Sequence, residues 1–251
     1  RPNPINGICL EGNLVKEDFR SFVGQYPLPN RHGMTVGELA LFFNHEIDIG
    51  CELKVVPMTN WNREQWYDET GLPWVPPSPN MPTLDTAVVY PGMCLIEGTQ
   101  LSEGRGTTRP FENFGAPYID PHKLLQRIKK DIDKLPGVIF RPQFFQPMFQ
   151  KHQGGVCGGL QIHVTDRNQF KPFLTTLALL RAIADLYPND LKWRTEPYEF
   201  VSDRLAIDLL YGNTHLRETI FNDTFSLDEI ENGWQEELNS FKELRNNYLI
   251  Y

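Results

Sequence analysis

Residues 120–187 read DPHKLLQRIKKDIDKLPGVIFRPQFFQPMFQKHQGGVCGGLQIHVTDRNQFKPFLTTLALLRAIADLY, and their reading decides the fold class. Asp120-Pro121 opens an amphipathic helix predicted to reach about Lys134. The proline falls in the first turn, where its missing N–H costs nothing. Val138–Phe145 and Val156–Thr165 are rich in β-branched and aromatic residues and read as strands. Phe170–Tyr187 is a strong helical pattern, stopped by Pro188.

Outward from this stretch the same alternation continues. Downstream, Leu205–Tyr211 and Thr214–Phe221 are short helices, and Ser226-Leu227-Asp228-Glu229 is a capping box opening a helix towards Arg245. Upstream, Thr35-Val36-Gly37-Glu38 is another capping box, for a helix through Asn44. Cys51–Met58 alternates and reads as a strand, and Asn62–Thr70 as a short helix stopping at Gly71. Pro73–Pro82 is a proline-rich loop, Thr83–Glu97 a helix interrupted near Pro91-Gly92, and Leu101–Asp120 a long structured loop. Helices and strands alternate, so the class is α/β. The part before about residue 120 is dense in Pro, Gly, Trp and polar turns, which divides the chain into 1–118 and 119–251.

The 251 residues suffice for one large or two modest cores. With 40% hydrophobic and 22% charged residues the chain is expected to be globular rather than disordered. Its apolar runs are broken by Pro, Gly or charge, short of the roughly 18–20 residues that span a bilayer. A net charge of −8 argues against a nucleic-acid partner, though a local arginine site can still take an anionic sugar. Cys9, Cys51, Cys94 and Cys157 lack CxxC spacing and are read as buried small apolar residues. No metal site is expected: the six histidines form no ligand-like pair. The chain starts Arg-Pro-Asn-Pro rather than with Met, which suggests a processed or truncated start.

The densest chemistry lies in Glu97–Phe111, EGTQLSEGRGTTRPF. Glu97 and Glu103 are candidate catalytic carboxyls, since glycoside hydrolysis needs a carboxyl acid and usually a second carboxylate. Arg105 and Arg109 can clamp a carboxylate through paired N–H groups. The same four charges can instead pair with one another and pin the loop. Arg31 and His32 precede a helix N-terminus, where anions are favoured; a capped turn with a surface arginine is the plainer alternative. Asn60, Trp61 and Arg63 follow the expected Cys51–Met58 strand, with Trp61 a candidate sugar-stacking residue or a packing residue. Cys157, among glycines, is a third possibility, an amidase thiol if a histidine activates it.

Long, ordered stretches of the chain resemble the NamZ family of exo-β-N-acetylmuramidases. They are RPNPING (1–7), RHGMTVGELA (31–40), MTNWNR (58–63), TGLPWVPPSPNMPT (70–83), YPGMCLIEGTQLSEGRGTTRPFENFGAP (90–117), GVIFRPQFFQPMFQK (137–151) and CGGLQIHVTDR (157–167). The resemblance implies part of a Rossmann-like domain over 1–118, followed by a smaller C-terminal α/β domain over 119–251. It implies release of terminal N-acetylmuramic acid from the non-reducing ends of peptidoglycan fragments, with no cofactor. A non-catalytic cell-wall sugar-binding protein is the alternative. Arg1, Asn3, Arg31, His32, Asn60, Trp61, Asn80, Arg105 and Arg109 are then expected around the muramyl saccharide, with Glu103 and Glu97 as the carboxyls. The substrate implies a periplasmic or secreted protein. Family members carry a large segment ahead of the RPNP stretch, with a Glu-His-Gly motif tied to the catalytic acid. No such tripeptide occurs here, so the chain is expected to be part of an enzyme.

Overall fold

The computed structural model describes residues 3–251. Its centre is an antiparallel three-stranded sheet in the order β3 (Asn113–Ala116), β5 (Cys157–Val164), β4 (Val138–Phe145). β4 and β5 pair from Val138↔Val164 to Phe145↔Cys157, so their register follows the predicted strands almost residue for residue. β3 lay unseen inside the predicted loop, and it pairs Gly115 with Gly159 and Ala116 with Gly158. A Cβ on Gly159 would overlap the Phe114 carbonyl oxygen, so the glycines of β5 let β3 approach. The sheet draws β3 from before residue 118 and its other two strands from after it.

Helix α3 (Pro121–Ile128) packs on this sheet, and α4 (Pro172–Leu186) packs against α3. Asp120 caps α3 by accepting from the His122 and Lys123 N–H groups at 2.9 and 3.1 Å. The rest of the expected helix is a 3-10 segment, Lys129–Lys134. α4 is buried from Pro172 through Leu180, which makes it the core helix. α2 (Leu84–Met93) crosses it at Gly92, where a Cβ would overlap the Pro172 carbonyl oxygen. Pro91 does not interrupt α2. It lies in the last turn, and the chain tightens into a 3-10 segment at Cys94–Gly98.

A second, two-stranded antiparallel sheet pairs β1 (Glu11–Leu14) with β2 (Pro29–Arg31), neither of which the sequence signalled. α1 (Val36–Glu46) follows, with the predicted capping box formed by Thr35 and Glu38. The short helices α5 (Ala206–Tyr211) and α6 (His215–Thr219) lie near their expected positions. The last predicted helix is broken at Trp234 into α7 (Leu227–Gly233) and α8 (Gln235–Asn246). α1 and α8 meet through a small hydrophobic cluster of Phe42 and Phe241, with Met34 from the chain ahead of α1.

Several expectations need correcting. Cys51–Met58 forms no strand: no partner supplies a ladder, Asn44 of α1 bonds the Cys51 backbone, and Val55 packs close over Gly37. Asn62–Thr70 is helical only as a 3-10 turn at Tyr67–Thr70, ended by Gly71 at φ 71°. Cys51 is exposed rather than buried, and Cys9 is half-buried. Among the described residues the fold mixes helices with two small antiparallel sheets. No helix among them is long and apolar enough to cross a membrane.

Candidate functional site

β2 ends at Arg31, and the chain then turns through Gly33 at φ 65° into the capped start of α1. Two arginines clamp this turn. Arg245 Nη1 donates to the Gly7 and His32 carbonyls, each at 3.0 Å. Arg63 Nη1 donates to the Gly33 carbonyl at 2.6 Å, and its Nη2 pairs with Glu38. A Cβ on Gly33 would overlap the Arg245 guanidinium, so only glycine fits. Arg63 is therefore a brace of this turn.

The clamped turn sets Arg31 and His32 into the wall of a cavity of about 610 Å³. Asn3, Asn30, Tyr26, Trp74, Tyr90 and Tyr198 also line it. Arg31 is only 4% exposed. Its Nη2 donates to Asn6 Oδ1 at 3.1 Å, and its guanidinium lies 5.9 Å from the Trp66 ring. Its Nε has no hydrogen-bond partner, and no carboxylate oxygen among the described residues comes within 4.0 Å of it. Burial pulls its pKa below the usual range. A buried, incompletely paired cation beside a cavity can take an anion.

His32 Nδ1 accepts the Met34 N–H at 3.1 Å. Burial, helped by the charge of Arg245, pushes its pKa down to about 4. The ring is neutral, and its other nitrogen is left as a donor. Asn3 is tied locally: its Nδ2 donates to the Met34 carbonyl at 3.2 Å and its Oδ1 accepts from the Ile5 N–H at 3.2 Å.

No Asp or Glu among the described residues lines the cavity. Glu97 and Glu103 lie behind its wall in a buried ion cluster. Arg105 donates from Nε to Glu103 at 2.8 Å and lies 3.0 Å from Glu97 through Nη2. Lys151 Nζ sits 2.9 Å from Glu103 and donates to the Ile96 and Leu101 carbonyls. Arg105 also stacks over Phe111 at 5.0 Å. Burial raises the Glu97 pKa against the pull of Arg105, and burial lowers that of Lys151. Glu103 is 2% exposed. Three of the loop's four charges, Glu97, Glu103 and Arg105, therefore pair with one another, joined by Lys151, while Arg109 stays apart. The cluster reaches the cavity through Tyr198, whose hydroxyl donates to Glu97 at 3.2 Å.

The other expected ligands scatter. Arg109 is half-exposed and lies 3.4 Å from Glu112 and 3.5 Å from Asp85, off the cavity. Asn60 is exposed at φ 59°, and Trp61 packs edge-on against Tyr251 at 5.0 Å. Asn80 does not line the cavity, although its neighbour Met81 does. Arg1 lies outside the described residues. Cys157 is fully buried and its thiol is pushed up to about 11 by burial, so it has neither access nor activation, which corrects the amidase reading. Sequence reasoning missed Trp74 and Tyr90, although both fall in the matching stretches. It also missed Tyr26 and Tyr198, which no motif marks. Among the described residues no group of three or more His, Cys, Asp or Glu could hold a metal ion.

Comparison with known proteins agrees with the stretches quoted above. The chain is 47% identical over its whole length to the peptidoglycan β-N-acetylmuramidase NamZ of Bacillus subtilis, and it spans 58% of that protein. A crystal structure of a DUF1343 family protein from Bacteroides fragilis covers the whole chain with a TM-score of 0.85 at 32% identity, the match spanning 65% of that structure. A second such protein from the same organism gives 0.76 at 29% identity, over 64% of its length. The N-terminal model of exo-β-N-acetylmuramidase NamZ matches residues 1–85, and the C-terminal model matches residues 88–251. The chain belongs to the NamZ family of exo-β-N-acetylmuramidases.

Proposed function

We propose that the cavity beside Arg31 holds the terminal N-acetylmuramic acid of a peptidoglycan fragment, and that the whole protein hydrolyses the bond releasing it. The observation that carries this reading is Arg31 itself, a buried guanidinium without a carboxylate partner on a cavity wall. The lactyl carboxylate of muramic acid supplies the missing anion. His32 offers a neutral ring N–H for a sugar hydroxyl or acetamido oxygen, and the aromatic wall covers the ring faces. In this reading Glu97 and Glu103 are positioning groups: Glu97 holds Tyr198, and Glu103 holds Arg105 and Lys151. The carboxyl that protonates the glycosidic oxygen is one that the cavity wall itself does not supply. The Rossmann-like sheet is likewise assigned to the whole protein, with residues 1–118 contributing to it. The substrate puts the protein outside the cytoplasmic membrane, which cell fractionation tests.

A second reading is favoured by the lack of any acid on the cavity wall: these 251 residues alone bind muramic acid without turnover. Calorimetric titration with N-acetylmuramic acid and N-acetylglucosamine, together with release of muramic acid from a chromogenic muramide, tests both. Binding is expected only for the acid sugar, and Arg31→Gln is expected to weaken it by about 10- to 100-fold, the worth of a charge-assisted pair. Equal affinity for the two sugars sinks the carboxylate role of Arg31. Turnover by the 251 residues alone sinks the second reading and returns Glu97 and Glu103 to the catalytic role.

A further inference from the structure

Two tight turns meet at the mouth of the cavity. Tyr198 and Val201 exchange backbone hydrogen bonds at 2.9 and 3.0 Å around a two-residue loop of Glu199 and Phe200. Both loop residues have positive φ, 47° and 69°. A hairpin loop of this geometry favours Asn-Gly, and a Glu-Phe pair holds it only under strain. The strain presents Phe200 to solvent with 94% of its surface exposed. Ser21 and Gly24 likewise exchange hydrogen bonds, at 3.1 and 3.0 Å, around Phe22 and Val23. Phe22 is 67% exposed and lines the cavity. The two rings meet edge to face, 5.9 Å apart at 84°. The Phe200 turn is anchored at its base, because Tyr198 is held by Glu97 and lies under the Arg194 guanidinium at 5.1 Å.

We propose that Phe22 and Phe200 form a platform for a second pyranose ring, the sugar next to the muramic residue. This rests on the muramic acid reading of the cavity. Folding alone does not account for a large aromatic side chain in a strained turn that touches one other exposed ring. A pyranose with equatorial substituents exposes an array of C–H bonds, whose slight positive charge suits the negative face of an aromatic ring. With the sugar acid seated on Arg31, the ring joined to it emerges at the mouth. A stem peptide is attached through the lactyl carboxyl, which points inward at Arg31, so the sugar is the better occupant.

The test compares N-acetylmuramic acid with an S-linked muramyl-N-acetylglucosamine disaccharide that resists cleavage, both by calorimetry. Phe200→Gly removes the ring and also relieves the backbone. Its melting temperature is expected to hold or rise, while disaccharide affinity falls about fivefold to tenfold. Affinity for the monosaccharide should not change. Phe22→Ala, a change on the cavity wall itself, should also weaken the disaccharide, and Phe200→Tyr should keep its binding. Equal loss for both sugars, or no loss for the disaccharide, overturns the platform. So does a loss confined to a muramyl peptide, which would make the platform a peptide site. Binding of the disaccharide that depends on Phe200, without binding of the monosaccharide, keeps the platform and removes the cavity reading. Absence of binding by either ligand removes both.

Discussion

Glu11 and Arg31 stand opposite each other in the register of β1 and β2, yet they form no ion pair. Each is buried and each keeps one unpaired polar atom, Glu11 Oε2 and Arg31 Nε. Glu11 Oε1 is occupied elsewhere, accepting the Leu174 N–H in the first turn of α4 at 2.8 Å. One cross-strand neighbour therefore caps the core helix, and the other is left to the cavity.

Glu11 should make stability fall as pH rises. Burial lifts its pKa to about 7 from 4.5, with the Leu174 and Phe173 N–H groups and the charge of Arg31 opposing and that of Glu231 adding. Between these values the folded chain keeps the proton and the unfolded chain releases it. Stability is then fully present below 4.5 and is lost as pH rises through 7, by roughly 3 kcal/mol in all. Glu11→Gln removes this slope while keeping an acceptor for Leu174. Thermal melts from pH 5 to 8 that decline equally in both proteins would contradict the assignment.

Glu103 should matter more to folding than Glu97. Removing the Glu103 charge leaves Arg105 and Lys151 facing each other across a dry site, a loss of about 3–5 kcal/mol for an uncompensated buried charge. Glu97 is less buried and meets only Arg105 and Tyr198, so Glu97→Gln should cost clearly less. Denaturant unfolding of both variants ranks them. A Glu103→Gln protein as stable as the parent would remove the ion cluster as a structural device.

What the sequence made legible was what local chemistry determines. The β4 and β5 strands, the Thr35–Glu38 box and the start of α3 are written in periodicity and caps, and each formed where expected. β1, β2 and β3 are three or four residues long and owe their pairing to distant glycines and neighbours, which no local pattern encodes. The same divide runs through the site. Arg31 and His32 were legible because they flank a helix start. The fate of Glu103 was not, because Lys151, nearly fifty residues on, decides it. Phe22, Tyr26 and Tyr198 reach the cavity only through tertiary packing.

His32 should not titrate in the neutral range. Its pKa of about 4 comes from burial first and then from Arg245, with Glu38 opposing. A histidine lowered in the folded state stabilises above its unfolded value of 6.5, and that contribution is lost as pH falls through 6.5 towards 4. The ring resonances of His32 should therefore stay flat from pH 5.5 to 8, and muramic acid affinity should show no step there from this group. A midpoint near 6.5 would mean that the ring is solvated and that its place in the wall is wrong.

The crossing of α2 over α4 should be the least tolerant glycine contact among these helices. At Gly92 an added Cβ meets the Pro172 carbonyl, and Thr176 Oγ1 at 2.7 Å, so backbone rather than a flexible side chain would have to move. The helices must separate, and the Tyr90–Pro91 wall of the cavity shifts with them. Gly92→Ala is expected to cost about 3 kcal/mol, the upper end for overpacking a tight core. Gly233, at the end of α7, is the control, since an added Cβ there meets nothing within 4 Å. Gly233→Ala should be neutral or gain up to about 1 kcal/mol from helix propensity. Paired denaturant curves separate the two cases: equal stability would show that α2 can slide over α4, and the wall that carries Tyr90 would then not be fixed by this contact.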